Sequence, residues 1–101
     1  MLFGLKDKDV NGIRQVLSGF PKVEEAVIFG SRAKGNYKPG SDIDLALKGK
    51  GLALSEVYEI DNQIDELNLP YTFDLLIFDQ ISDPAVVDHV NRVGLSFYKK
   101  P

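Results

Sequence analysis

The spacing of apolar residues switches repeatedly between a helical and a strand-like period, and this switching limits the fold more than any other feature of the chain. Helix-like segments separate four strand-like segments, which are predicted at residues 23–29, 42–47, 73–78 and 95–98. A chain of 101 residues has room for one core, so residues 1–101 are expected to form one domain. The pattern predicts an α/β or α+β domain with a small mixed β-sheet and helices packed mainly on one face.

Capping and helix-breaking residues bound the predicted helices. Asp9 can cap the first helix, and Gly19 ends it. The third helix is predicted from a helical spacing of apolar residues, with Pro70 beyond its end; these residues are Leu54, Val57, Tyr58, Ile64 and Leu67. The last helix begins after a cap at Ser82 or Asp83 and ends at Gly94.

The composition excludes several classes of function. Twelve basic and fifteen acidic residues give a formal net charge of −3, which disfavours a nucleic-acid partner without excluding it. With no cysteine and one histidine, disulfides and the usual zinc sites are excluded, so any metal must be held by oxygen. No segment has the length or pattern of a signal peptide or membrane span, which predicts a cytoplasmic protein with no membrane partner. The sequence leaves open whether the chain forms a homo-oligomer.

Gly30 and Ser31 lie where a predicted strand gives way to a helix. Unpaired backbone N–H groups and the helix dipole favour phosphate there, glycine permits a close backbone approach, and the serine hydroxyl adds a donor. Arg32 and Lys34 add positive charge beside this turn, and their proximity alone predicts that they also bind phosphate. In isolation the dipeptide is more typical of a plain turn and helix cap.

Three aspartates form a second group of candidate residues. Asp42 and Asp44 alternate with apolar residues on a strand, which places both carboxylates on one face with Cα atoms about 7 Å apart. Asp74 interrupts an apolar strand and lies beside them if the two strands are neighbours. Carboxylates about 5 Å apart repel by roughly 3 kcal/mol per pair at an effective dielectric constant of about 20. Such a cluster favours hard cations, so we expect the three aspartates to bind Mg²⁺ or Mn²⁺, as one ion or as a bridged pair.

The combination of these two groups resembles the signature of the DNA polymerase β-like nucleotidyltransferase superfamily. The chain more closely resembles the minimal nucleotidyltransferases, or MNT proteins. The residues that carry this resemblance are 27–35 (VIFGSRAKG) and 40–46 (GSDIDLA). The similarity extends over almost the whole chain. It implies a nucleotidyltransferase fold like the palm of polymerase β.

The same resemblance implies an activity and a role for each motif residue. The reaction would transfer a nucleotidyl group, commonly AMP from ATP, to an acceptor hydroxyl with release of pyrophosphate. Gly30 and Ser31 would hold the triphosphate, and Asp42 and Asp44 would ligate both metal ions. Asp74 would complete the metal site or act as the base, so all three aspartates are expected to be catalytic.

The resemblance also implies a partner protein. MNT proteins commonly act with small helical HEPN proteins as toxin–antitoxin pairs, in which the MNT member adenylylates its partner. An alternative is an antitoxin-type binding module that neutralises a HEPN-like partner mainly by contact. A sugar-nucleotide glycosyltransferase could also use an Asp-x-Asp motif, but such enzymes need a much larger fold.

Four further residues are open to more than one interpretation. Leu76 and Phe78 are apolar on the face that carries Asp74, so either a partner subunit or the last helix is expected to cover them. His89, the only histidine, is expected to be exposed and non-catalytic. Tyr37 could stack on a base, although tyrosines in loops are more often packing residues.

Overall fold

The computed structural model describes residues 2–101, in which helices and strands alternate as the sequence predicted. The helices are α1 Asp7–Ser18, α2 Ser31–Lys34, α3 Leu54–Asp65 and α4 Pro84–Val93. The strands are β1 Glu25–Phe29, β2 Ile43–Lys48, β3 Phe73–Ile77 and β4 Leu95–Lys99. A 3₁₀ turn, Phe78–Gln80, follows β3 and ends the predicted third strand one residue early.

The strands form one mixed sheet in the order β3-β2-β1-β4. β1 pairs antiparallel with β2 and with β4, whereas β2 and β3 run parallel. A parallel pair needs a crossover connection, and α3 supplies it. The end of β1 therefore lies at the same end of the sheet as the starts of β2 and β3. All the predicted site residues occur at this end.

The main core lies on one face of the sheet, under α1 and α3. The alternation predicted that Ile43, Leu45 and Leu47 would enter this core, and all three are fully buried there. Ile60 and Ile64 of α3 pack against it. The short helix α2 reaches the same core through Ala33, so the helices lie mainly on one face, as predicted.

A smaller apolar cluster occupies the opposite face, beneath α4. Its buried members are Val27, Phe29, Ala46 and Val90. Leu76 and Phe78 pack against this cluster. Leu76 and Phe78 were predicted to be covered either by a partner subunit or by the last helix, and the structure shows the last helix.

The start of α1 differs from its prediction. Lys6, and not Asp9, is the N-cap residue, and its side chain makes no capping hydrogen bond. Asp9 lies inside the first helical turn and is buried, where the Tyr71 hydroxyl donates to its carboxylate at 3.4 Å. A tertiary contact, which sequence does not display, therefore explains this aspartate.

The predicted third helix is present as α3, and it buries only part of its apolar residues. The buried residues of the helix are Val57, Ile60 and Ile64. Leu54 and Tyr58 are 52% and 62% exposed, because they lie on the outer side of the helix, and Leu67 lies beyond its end. The helix itself is confirmed, and only its predicted end, at Leu67, falls outside it.

The boundaries of α4 are confirmed. The Asp83 carboxylate accepts a hydrogen bond from the Ala85 N–H at 2.9 Å, Pro84 occupies the first turn, and Gly94 is the C-cap. Among residues 2–101, no helix is long and apolar enough to cross a membrane.

Candidate active site

The strand register brings the three aspartates together. In the parallel pair, Asp44 of β2 lies directly beside Asp74 of β3. Neighbouring strands are about 4.8 Å apart, so the two backbones hold these carboxylates close to each other. Asp42 immediately precedes β2 and shares the face of Asp44. The juxtaposition predicted from the alternation is therefore present.

This arrangement changes the pKa of Asp44. Burial raises the pKa of Asp44 above its ordinary value, and the charges of Asp74 and Asp42 raise it further. A positive charge on His89 acts in the opposite direction and lowers this pKa. Burial and two neighbouring carboxylates thus disfavour the charge of Asp44, and a bound cation would favour it.

Gly30 lets the chain pass close to Asp44. Its φ of +73° is in the left-handed region that favours glycine. A Cβ atom on Gly30 would lie 2.5 Å from the Asp44 Oδ2 atom, which is too close for any side chain. The turn after β1 and the aspartate cluster are thus in direct contact, and a larger residue would have to shift the Asp44 carboxylate.

Thr72 is a member of the site that the sequence analysis missed. Its hydroxyl donates a hydrogen bond of 2.7 Å to the Asp42 Oδ1 atom. The parallel register pairs Ile43 with Phe73, which places the preceding residues, 42 and 72, side by side. Knowledge of that register would have identified Thr72, but the sequence alone does not provide it.

The structure does not support the prediction that Arg32 binds phosphate. Arg32 is buried, with 2% of its surface exposed, and its guanidinium donates to main-chain carbonyls. Tyr37 packs over this guanidinium and against Gly4, so Tyr37 has a packing role. In the sequence, a positive side chain beside a glycine turn resembles a phosphate ligand. The sequence does not show that the folded chain buries this side chain.

Ser31 and Lys34 begin and end α2, which has only four residues. One helical turn aligns few peptide dipoles, so any phosphate contact here depends on the turn itself and on the Ser31 hydroxyl. Lys34 is exposed and makes no ion pair with a carboxylate within residues 2–101. Both residues remain predicted nucleotide or phosphate contacts.

His89 is closer to the cluster than predicted. It is half-buried, and its ring meets Phe29 edge to face, with centroids 6.2 Å apart and planes at 80°. Phe29 is the register partner of Asp44, and the charge of His89 acts on that carboxylate. The expectation of an exposed histidine was wrong, because the packing of α4 over the sheet turns His89 inward.

The donor set of the cluster fits a hard divalent cation, since the three side chains of the cluster offer carboxylate oxygen only. Within residues 2–101, however, no group of three or more acidic, histidine or cysteine side chains is already arranged around a common point. One Asp42 oxygen is engaged by Thr72, and Asp44 lies against Gly30. Metal binding to all three aspartates therefore requires their side chains to rotate on a fixed backbone.

The aspartates lie on an open surface. Asp42 and Asp74 are exposed, and Asp44 is half-buried. A groove of about 500 Å³ lies beside them, between the end of α3 and the start of β3, and none of the three aspartates lines it. A large substrate or a second protein could thus reach the carboxylates directly.

Comparison with protein families gives one match over most of the chain. The family model described as "Polymerase beta, Nucleotidyltransferase" matches residues 11–101. No curated protein matches the chain.

Several solved structures share the fold. A toxin–antitoxin complex with AMP-PNP has a TM-score of 0.74 and 22% identity, over 90% of this chain and 73% of the other. The complex of a tri-AMPylated Shewanella oneidensis HEPN toxin with its MNT antitoxin has a TM-score of 0.70 and 18% identity, over 95% and 74%. A candidate nucleotidyltransferase from Sulfolobus solfataricus has a TM-score of 0.54 and 30% identity, over 89% and 76%.

Proposed function

The chain belongs to the polymerase beta nucleotidyltransferase family, and from this premise we propose that it transfers AMP from ATP to a hydroxyl group on a partner protein. The observation that carries the proposal is the pairing of Asp44 with Asp74 beside Asp42, at the sheet end where Gly30 leaves β1. Cation-binding carboxylates and a turn that permits close approach of a phosphate chain thus lie in contact. That combination suits transfer of a phosphate-linked group.

In the proposed reaction the acceptor oxygen bonds to the α-phosphorus of ATP. The bond from that phosphorus to the bridging oxygen of the β-phosphate breaks, and pyrophosphate leaves. Asp74 takes the hydroxyl proton, or it completes the metal site and the proton passes to solvent. Ser31 and the backbone at Gly30 bind the triphosphate, and the exposed Lys34 adds positive charge beside them.

Asp42, Asp44 and Asp74 are the proposed ligands of two Mg²⁺ ions, which Mn²⁺ can replace. Bound there, the ions would neutralise triphosphate charge and lower the pKa of the acceptor hydroxyl. The raised pKa of Asp44 supports this assignment, because its two acidic neighbours contribute to it. Thr72 orients Asp42 through its hydrogen bond.

A helical HEPN-like protein is the proposed partner and acceptor. The likeness to the complex of an AMPylated HEPN toxin and its MNT antitoxin supports this choice. The exposure of Asp42 and Asp74 supports it as well, because an acceptor carried by another protein can approach both.

The test measures pyrophosphate release and AMP labelling of a HEPN-like protein from the same genome, in ATP and Mg²⁺. We expect Asp42→Ala and Asp44→Ala to lower labelling by about 100-fold or more, because each removes a metal ligand. Asp79→Ala is the control, since Asp79 is an exposed aspartate beyond the other end of β3. Labelling that survives both substitutions would refute the catalytic proposal.

A second candidate is a binding module that neutralises its partner by contact. The toxin–antitoxin complexes among the similar structures favour it as a parallel role. The two functions separate in the same experiment. Partner binding that persists in Asp42→Ala while labelling is lost indicates both functions, whereas wild-type binding with no labelling indicates the binding module alone.

A further inference from the structure

Among residues 2–101, Arg32 is a buried cation without a carboxylate partner. It is 2% exposed, although it belongs to a four-residue helix beside an exposed loop. Its Cζ atom lies 5.4 Å from the ring centre of Tyr37 and 5.3 Å from that of Tyr71. In the described part of the chain, the ion pairs involve other side chains. Because a buried charge must be satisfied by polar contacts, its hydrogen bonds indicate its role.

These hydrogen bonds all go to main-chain carbonyl groups. Nε and Nη2 donate to the Ser41 carbonyl at 3.1 and 2.9 Å. Nη2 also donates to the Pro39 carbonyl at 3.4 Å, and Nη1 donates to the Phe3 carbonyl at 3.0 Å. A planar guanidinium presents its donors in a rigid fork, which the single ammonium of lysine cannot reproduce.

The bonds connect two parts of the candidate site. Arg32 directly follows Ser31, and Ser41 directly precedes Asp42. One side chain therefore joins the residue after the phosphate turn to the residue before the aspartates, across the loop of residues 35–41.

A second connection to Asp42 passes through Tyr71. The ring of Tyr71 packs on the guanidinium of Arg32. The next residue, Thr72, donates the 2.7 Å hydrogen bond to the Asp42 carboxylate. Arg32 thus contacts the residue before Asp42, and also the residue before the hydrogen-bond partner of Asp42.

We propose that Arg32 is a positioning residue, which fixes Asp42 relative to Ser31 by holding the Ser41 carbonyl. This role rests on the proposed function and replaces the phosphate contact predicted from the sequence. Because the role needs the guanidinium fork and not only a positive charge, lysine cannot substitute for it.

The first test is independent of activity and measures chymotrypsin cleavage after Tyr37 in the folded protein. Without its anchor the loop opens more often, so we expect cleavage about tenfold faster in Arg32→Met and Arg32→Lys. Arg14→Met is the matched control, because Arg14 donates to the Phe97 carbonyl at 2.8 Å and stacks on the Phe97 ring. Unchanged cleavage in the Arg32 variants, or equal acceleration in Arg14→Met, would overturn the proposal.

The second test separates positioning from phosphate binding through steady-state kinetics of AMP transfer. We expect kcat to fall about 100-fold in both Arg32 variants, with KM for ATP within about threefold of wild type. Arg14→Met should change neither constant. A raised KM for ATP in Arg32→Met, with kcat retained in Arg32→Lys, would identify a phosphate ligand and overturn the proposal. If the wild type releases no pyrophosphate, the proposed function fails, and the cleavage rates alone decide the role of Arg32.

Discussion

Gly30 couples a backbone conformation to the position of a carboxylate. Its positive φ turns the chain away from β1, and the missing side chain leaves the space in which Asp44 Oδ2 lies. Any larger residue must displace either the turn or the aspartate. A residue that carries no functional group of its own therefore determines the geometry of the site.

Gly30→Ala tests this coupling. We expect AMP transfer to fall by about 100-fold, since the new methyl group displaces Asp44. The strained backbone should lower the free energy of unfolding by about 1–3 kcal/mol. Gly40→Ala is the matched control, because a Cβ atom there meets nothing within 4 Å. Pyrophosphate release and thermal unfolding are the measurements, and equal activity of the two variants would contradict the coupling.

The sequence identified residues whose chemistry is visible in a local pattern. The two-residue alternation located Asp42 and Asp44 on one face, and an acid in an apolar strand marked Asp74. The burial of Arg32 could not be predicted, because it depends on carbonyls that a long loop and the N-terminal segment bring to it. Thr72 was missed for the same reason, since its role follows from strand register.

Helix α4 gives the aspartate cluster its apolar surroundings. Val90 packs on Val27, Phe29 and Ala46, and this packing turns His89 towards the ring of Phe29. The sequence predicted the helix and its Asp83 cap but not the sheet face that it covers. Local propensity determines where a helix begins, whereas its docking depends on side chains from three separate strands.

His89→Gln tests the influence of α4 on the cluster. The positive charge of His89 lowers the pKa of Asp44, so we expect its removal to raise that pKa in metal-free protein. A carboxyl-carbon NMR titration of Asp44 measures the change. Arg92→Gln is the control, because Arg92 is an exposed cation of the same helix that pairs with Asp88 at 2.8 Å. An unchanged Asp44 pKa in His89→Gln, or the same rise in Arg92→Gln, would contradict this influence.

The charges of the whole molecule are separated along the sheet. The aspartate cluster lies at one end, while Lys22, Lys50, Lys99 and Lys100 surround a groove at the other. The lysines are thus too distant to offset the aspartates, because exposed charges are screened over about 10 Å. His89 offsets part of the repulsion at Asp44, and bound cations would offset more. If they do, their binding should change the thermal stability of the protein.

Asp44→Asn in metal-free protein tests this dependence. The pKa of Asp44 is raised above 3.8, so the folded protein retains this proton to a higher pH than the unfolded chain does. The free energy of unfolding therefore decreases as the pH rises through the raised pKa. At neutral pH in EDTA, we expect Asp44→Asn to melt a few degrees above wild type, with the difference vanishing well below pH 3.8.

Mg²⁺ should reverse the order of these two proteins at neutral pH. An ion that binds only the folded state raises the melting temperature of wild type, whereas Asp44→Asn lacks a ligand and should respond weakly. Asp79→Asn is the control, because its carboxylate is exposed and lies away from the cluster, and it should follow wild type in both conditions. If metal-free wild type proved as stable as Asp44→Asn at neutral pH, neither burial of the Asp44 charge nor its repulsion by Asp74 and Asp42 would be a significant cost, and the case for cation binding would lose its physical basis.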